Sequence, residues 1–253
     1  MLTAVILLSG GCSKEETSYN NTSYTLIKKD LLGVSGTVTF TETSNNSTII
    51  DVALVNAPAG SNHVYLYMQS VVEKGEVAET LNPIEATGKS STVVKMPYSQ
   101  LIAYEGFIRV LKSSSENNLI IAQGDIGGNV ITSINKSYTL STISPYGVSG
   151  TALFEKRANG NTLLTVSLNG AIAGVEYPAT INLGSIESVD GGPVKKVLNN
   201  IIGATESYTN IRTLESGSPI TYENWLVYLG YINIYQRSVL SDNIISHGNI
   251  GKN

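Results

Sequence analysis

Hydrophobic residues recur at every second position along several short stretches of the chain. Val38 and Phe40, then Ile50, Val52 and Leu54, alternate with polar partners, and Phe154 followed by Leu164, Val166 and Leu168 does the same further on. Such alternation sends one set of side chains to each face of a strand and marks a half-buried sheet. Asn- and Gly-rich segments, Ser44-Asn-Asn-Ser and Ala158-Asn-Gly-Asn, lie between these strands and predict hairpins. A short helix is expected near 221–228, with Thr221 as N-cap and Trp225 and Leu226 facing in, and a weaker counterpart near 99–104. Neither is long enough to change the class, so the elements predict an antiparallel β-sandwich.

The pattern occurs twice. Ser23-Tyr-Thr-Leu returns as Ser137-Tyr-Thr-Leu and Gly33-Val-Ser-Gly-Thr as Gly147-Val-Ser-Gly-Thr, both 114 residues later, and Leu54-Val-Asn-Ala-Pro-Ala-Gly corresponds to Leu168-Asn-Gly-Ala-Ile-Ala-Gly. Towards the end the offset grows to 124, between Ile120-Ile-Ala-Gln-Gly-Asp-Ile-Gly-Gly-Asn and Ile244-Ile-Ser-His-Gly-Asn-Ile-Gly-Lys-Asn. A period this long indicates a duplicated domain with about ten residues inserted in the second copy. Two homologous all-β domains are therefore expected, at 23–132 and 133–253.

Composition narrows the chemistry. The 253 residues carry 16 Lys+Arg against 20 Asp+Glu, a net charge of −4, and the basic residues form no stripe suited to a phosphate backbone, so nucleic acid is not an expected partner. One cysteine excludes an intramolecular disulfide, and two histidines cannot build a His-rich metal cage in each domain.

The apolar run from Leu2 to Gly11 is too short to cross the ~30 Å hydrocarbon core as a helix. It reads as a signal peptide over residues 1–11 and ends in small residues before Cys12. This resembles the lipobox of bacterial lipoproteins, although Leu8 stands one place further from the cysteine than in the commonest pattern and no basic residues precede the run. The resemblance implies a lipidated Cys12 that anchors the protein to a membrane through a polar tether over 12–22. Ser13, Lys14, Glu15 and Glu16 resemble the export tag of surface lipoproteins, which implies an outer-membrane lipoprotein facing the medium; as plain chemistry they are a solvated charge cluster.

Within repeat two, Gly147-Val-Ser-Gly-Thr-Ala-Leu-Phe, Ala173-Gly-Val-Glu-Tyr-Pro-Ala-Thr-Ile-Asn, Gly230-Tyr-Ile-Asn-Ile-Tyr and His247-Gly-Asn-Ile-Gly follow one another. Repeat one carries the same series as Gly33-Val-Ser-Gly-Thr-Val-Thr-Phe, Ala59-Gly-Ser-Asn-His-Val-Tyr-Leu-Tyr, Gly106-Phe-Ile-Arg-Val-Leu and Gln123-Gly-Asp-Ile-Gly. This series resembles the CHRD domain, found in chordin and in bacterial secreted proteins and lipoproteins. The resemblance covers nearly everything after residue 22. It implies, for both repeats, a Greek-key sandwich of the copper/zinc superoxide dismutase kind.

Many members of that family place histidines at alternate positions of one strand and at the end of another, a geometry suited to zinc or copper. Here the corresponding positions read Asn62, Tyr65, Tyr67 and Leu111 in repeat one and Tyr177, Thr180, Asn182 and Tyr235 in repeat two, so the resemblance implies a metal site that has been lost, with no metal and no cofactor. His63 falls where the family has proline, and, if the strand already starts there, on the face opposite Tyr65 and Tyr67; His247 falls in the closing turn-rich segment. Asp51, Asp125 and Asp190 are scattered, and no nucleophile elbow, phosphate loop or paired-acid motif is present. No enzyme is expected.

Tyrosine provides 14 of the 18 aromatic residues. Two readings remain open. Tyrosine is an ordinary half-buried strand residue; alternatively Asn62, Tyr65, Tyr67, Tyr177, Thr180, Asn182 and Tyr235 form an amphipathic patch for a carbohydrate or protein ligand. The functional expectation is a non-catalytic binding or structural module. Its alternatives are a metal-binding or redox protein using unusual ligands and a subunit of an envelope complex.

Overall fold

The computed structural model describes residues 18–112, 119–143, 145–187, 191–203, 205–236 and 243–253. Repeat one contributes β1 (Asn21–Lys28), β2 (Ser35–Glu42), β3 (Thr48–Val55), β4 (Asn62–Met68), β5 (Val77–Ile84), β6 (Lys89–Val94), the short helix α1 (Tyr98–Leu101), β7 (Glu105–Leu111) and β8 (Ile120–Gly127). They form one antiparallel sheet in the order β5-β4-β7-β8-β1-β2-β3-β6. Strand β1 serves two layers, since residues 21–26 pair with β2 while Ile27 and Lys28 pair with β8. The chain leaves β3 for β4 in the other layer and returns from β5 to β6 beside β3, a Greek-key winding. Val38, Phe40, Ile50 and Val52 from one layer meet Val64, Leu66, Ile108 and Val110 from the other in a single buried core, as the alternation predicts.

Repeat two winds identically. Its elements are β9 (Ile131–Thr142), β10 (Ser149–Arg157), β11 (Thr162–Asn169), β12 (Glu176–Tyr177), β13 (Ala179–Leu183), β14 (Val194–Val197), β15 (Ile201–Ile202), β16 (Ser207–Ile211), the helix α2 (Tyr222–Leu226), β17 (Leu229–Tyr235) and β18 (Ile244–Gly251). The eight-stranded order is β14-β13-β17-β18-β9-β10-β11-β16, with β12 and β15 as a separate small ribbon. Both predicted hairpins are present, β2–β3 and β10–β11. Their turns use Asn46 and Gly160 at positive φ, where an amide side chain or no side chain at all is tolerated.

Helix α2 starts at the expected cap. The Thr221 hydroxyl accepts from the Asn224 N–H while the Asn224 side chain accepts from the Thr221 N–H, closing a capping box. Trp225 is fully buried as predicted, but Leu226 is 36% exposed and Tyr222 takes the second inward place. A helix of little more than one turn buries one i, i+3 pair, here Tyr222 and Trp225, and leaves Leu226 at the rim.

Each sheet is almost closed, and the same device bridges both open seams. The Asn82 N–H donates to Thr92 Oγ1 (2.9 Å) and its Nδ2 to the Ser91 carbonyl (2.7 Å); the Asn199 N–H donates to Thr209 Oγ1 (3.0 Å) and its Nδ2 to the Tyr208 carbonyl (2.7 Å). In repeat one Pro83 follows the bridging residue and has no N–H to offer a ladder, so side-chain bonds replace strand pairing there.

Between β8 and β9 lie three residues, and the two sheets meet around them. Arg157, at a bulge in β10, is fully buried. It donates to Asp125 Oδ2 (3.1 Å) and to the Asn129 carbonyl. Asp125 also accepts the Val71 N–H (2.8 Å). Burial pushes the Asp125 carboxyl above the ordinary range, against the pull of that N–H and of Arg157. Around this pair, Arg212 contacts Glu105 (2.8 Å) and Glu73 (3.5 Å), and Asn159, Asn161 and Asn210 donate to the same two carboxylates. The junction thus sets acids of repeat one against arginines and amides of repeat two.

Candidate functional site

Strand β4 sits between β5 and β7, and its alternation sends Val64 and Leu66 into the core. His63, Tyr65 and Tyr67 therefore share the outer face, with ring centroids 6.3 Å and 6.1 Å apart along the strand. This corrects the expectation that His63 turns away from the tyrosines: the side-chain period is two, so 63, 65 and 67 point the same way once the strand begins at Asn62. Register adds the neighbours. Tyr65 lies opposite Arg109 and Tyr67 opposite Phe107 on β7, and Arg109 lies opposite Gln123 on β8. Phe107 is fully buried yet outside the central core; Tyr67 stacks on it at 4.6 Å with an 8° tilt. The Arg109 guanidinium lies against both rings, 5.1 Å from Tyr67 and 4.9 Å from Phe107, and its Nε donates to Gln123 Oε1 (2.9 Å). His63, Tyr65, Tyr67 and Arg109 are all half-buried, so this face is open to solvent.

The equivalent face of repeat two is more deeply buried, with Tyr235, His247 and Asn249 half-buried at its margin, and among the described residues it carries no arginine. Thr180 and Asn182 on β13 lie opposite Asn233 and Tyr231 on β17, and His247 and Asn249 on β18 lie opposite the same two residues. Thr180, Asn182, Tyr231 and Asn233 are buried. Thr180 Oγ1 bonds the Tyr235 hydroxyl (3.1 Å) and Asn182 Oδ1 (3.2 Å). Tyr231 accepts the Gly192 N–H (2.8 Å), and Asn249 accepts the Ile186 N–H (3.0 Å). Burial lowers the pKa of His247. Among the described residues Asn233 Oδ1 is left without a partner; the other groups bond one another and the backbone N–H groups of Ile186 and Gly192.

Two of the predicted patch residues stand elsewhere. Asn62 points away from Tyr65 and Tyr67, is fully buried, and donates to the Pro58 (3.1 Å) and Gly60 (3.3 Å) carbonyls, pinning the preceding turn. Tyr177 packs in the core of repeat two, and its hydroxyl accepts the Ile172 N–H (2.9 Å). The seven positions thus separate into Tyr65 with Tyr67, Thr180 with Asn182 and Tyr235, and two turn or core residues. Sequence reasoning missed Arg109, Phe107 and Gln123. The signal was there for Arg109, since an arginine between the inward-facing Ile108 and Val110 must point outwards.

The zinc or copper held by many members of the family that the repeats resemble does not fit this donor set. Tyr65, Tyr67 and Leu111 in one repeat, and Thr180, Asn182 and Tyr235 in the other, are phenols, an alcohol, an amide and a hydrocarbon. Among the described residues no three His, Cys, Asp or Glu side chains come together to hold an ion. Asp51 is exposed on β3, and Asp125 belongs to the junction. Cys12, Ser13, Lys14, Glu15, Glu16 and Asp190 lie outside the described residues. No helix among the described residues is long and apolar enough to cross a membrane. A scan against protein-family models, a search of curated proteins and a search of solved structures find no match to this chain.

Proposed function

We propose that this chain is an outer-membrane lipoprotein of the cell surface, anchored through Cys12, in which two metal-free CHRD-like domains act as a non-catalytic binding or structural module. The single observation that carries the binding role is the open outer face of repeat one. At positions where the family places its metal ligands, it presents Tyr65 and Tyr67 half-exposed beside His63 and Arg109. A phenol keeps its hydroxyl wet while its ring offers apolar area, the combination found where proteins bind amphipathic ligands. The matching face of repeat two is occupied by its own hydrogen bonds, which supports ligand contact at repeat one.

The test is binding of the full chain to an array of glycans and envelope proteins, with the Tyr65→Ala/Tyr67→Ala double variant alongside. Loss of the bound species, with thermal unfolding unchanged, is the expected result. Retained binding refutes the assignment to this face. The anchor and export readings rest on Cys12 and the four residues after it, and protease treatment of intact against lysed cells tests them: cleavage without lysis is expected, and protection until lysis places the protein inside the envelope.

A further inference from the structure

We infer that the outer face of repeat one takes a carboxylate-bearing polysaccharide, with Arg109 holding the carboxylate and Tyr65 and His63 carrying the sugar rings. This rests on the reading of that face as the ligand site.

Arg109 is built for the task by its surroundings. Three arginines lie among the described residues; Arg157 and Arg212 are paired with carboxylates of the junction, and no described carboxylate pairs with Arg109. The guanidinium rests against the Tyr67–Phe107 stack, and Gln123 takes its Nε. Among the described residues nothing bonds its two terminal amino groups. That end-on pair is an edge on which a carboxylate binds with two parallel hydrogen bonds. A guanidinium already seated against rings loses little freedom on binding, and the partly apolar setting strengthens its field. In a chain of net charge −4, an unpaired and oriented cation on an open face selects an anion.

The rest of the face selects a glycan over a peptide. Both backbone edges of β4 are already consumed by β5 and β7, so no strand can be added there and a peptide would gain no ladder. What remains is a row of half-buried rings along the strand, with centroids 6.3 Å and 6.1 Å apart. Such rings pack on the C–H faces of pyranoses, while the tyrosine hydroxyls meet the sugar hydroxyls. Tyr65 stands directly opposite Arg109, so a uronate ring lying on Tyr65 brings its carboxylate to the guanidinium.

The experiment measures binding of the full chain to polygalacturonate, alginate and hyaluronan, to the carboxyl-reduced form of each, and to polyglutamate, by titration calorimetry. Wild type, Arg109→Gln and Tyr65→Ala are compared, with thermal unfolding of each variant as the control for folding. At least one uronate polymer is expected to bind, and Arg109→Gln and carboxyl reduction should each weaken it at least tenfold without compounding, because both remove the same contact. Binding that depends on Tyr65 but ignores both Arg109 and carboxyl reduction overturns the acidic ligand and leaves the ligand face standing. Binding that ignores Tyr65 as well overturns both. Absence of binding to every uronate overturns the inference, and Arg109-dependent binding of polyglutamate instead of the polysaccharides replaces the glycan with an acidic peptide.

Discussion

At the residue scale, the two repeats differ most where their outer faces correspond. The strand position that holds Gln123 in repeat one, bonded to Arg109, holds His247 in repeat two, opposite Asn233. Burial depresses the His247 pKa, so the folded state resists a proton that the unfolded chain accepts. Its contribution to stability is complete above the ordinary histidine value of about 6.5 and declines as pH falls from there towards the depressed folded value. His247→Gln, which copies repeat one, is expected to shrink the difference in Tm between about pH 7.5 and about pH 5.5. An unchanged difference would show that other groups carry this acid sensitivity.

The element scale is dominated by the seams. Eight strands curl until the end strands of each sheet nearly meet, and in both repeats an asparagine bonded to the facing segment completes the approach. These bridges stand 117 residues apart, between the 114-residue offset of the first strands and the 124-residue offset that relates Tyr98 at the start of α1 to Tyr222 at the start of α2. The insertions therefore fall in steps, the largest between β16 and α2, where Thr213 bridges to Pro219 and where Arg212 is delivered to the junction. Asn82→Ala removes one hydrogen bond to a carbonyl and is expected to cost about 1 kcal/mol in denaturant unfolding. Hydrogen exchange should accelerate first at β5 and β6, and uniform protection across the sheet would contradict a local seam.

For the whole molecule, the decisive feature is the junction. Arg157 is fully buried and ion-paired across the repeats, and its Nε and Nη2 have no partner among the described residues. Breaking a buried pair leaves an uncompensated charge, here on Asp125, at a cost of about 3–5 kcal/mol. Arg157→Ala is therefore expected to destabilise by that order and to split one unfolding transition into two, since each repeat keeps its own core. A single transition with an unshifted midpoint would mean that the pair does not couple the repeats.

Much of this was legible in the chain itself. Local alternation and turn chemistry are properties of neighbouring residues, so Val38 to Leu54, the Asn46 and Gly160 turns, the Thr221 cap and the duplication could all be read directly. That Tyr65 and Tyr67 share a face follows from the same period. Strand order and register decided the rest, because which side chains meet across a sheet depends on residues far apart in sequence. Only pairing with β7 and β8 brings Arg109, Phe107 and Gln123 to the tyrosines, and only folding sends Asn62 to a turn and Tyr177 to the core. The contrast between the two outer faces likewise comes from the side chains that register places together, Tyr67 with Arg109 in one and Thr180 with Tyr235 in the other. How far an outer face is covered is a property of the assembled layers and has no local signature.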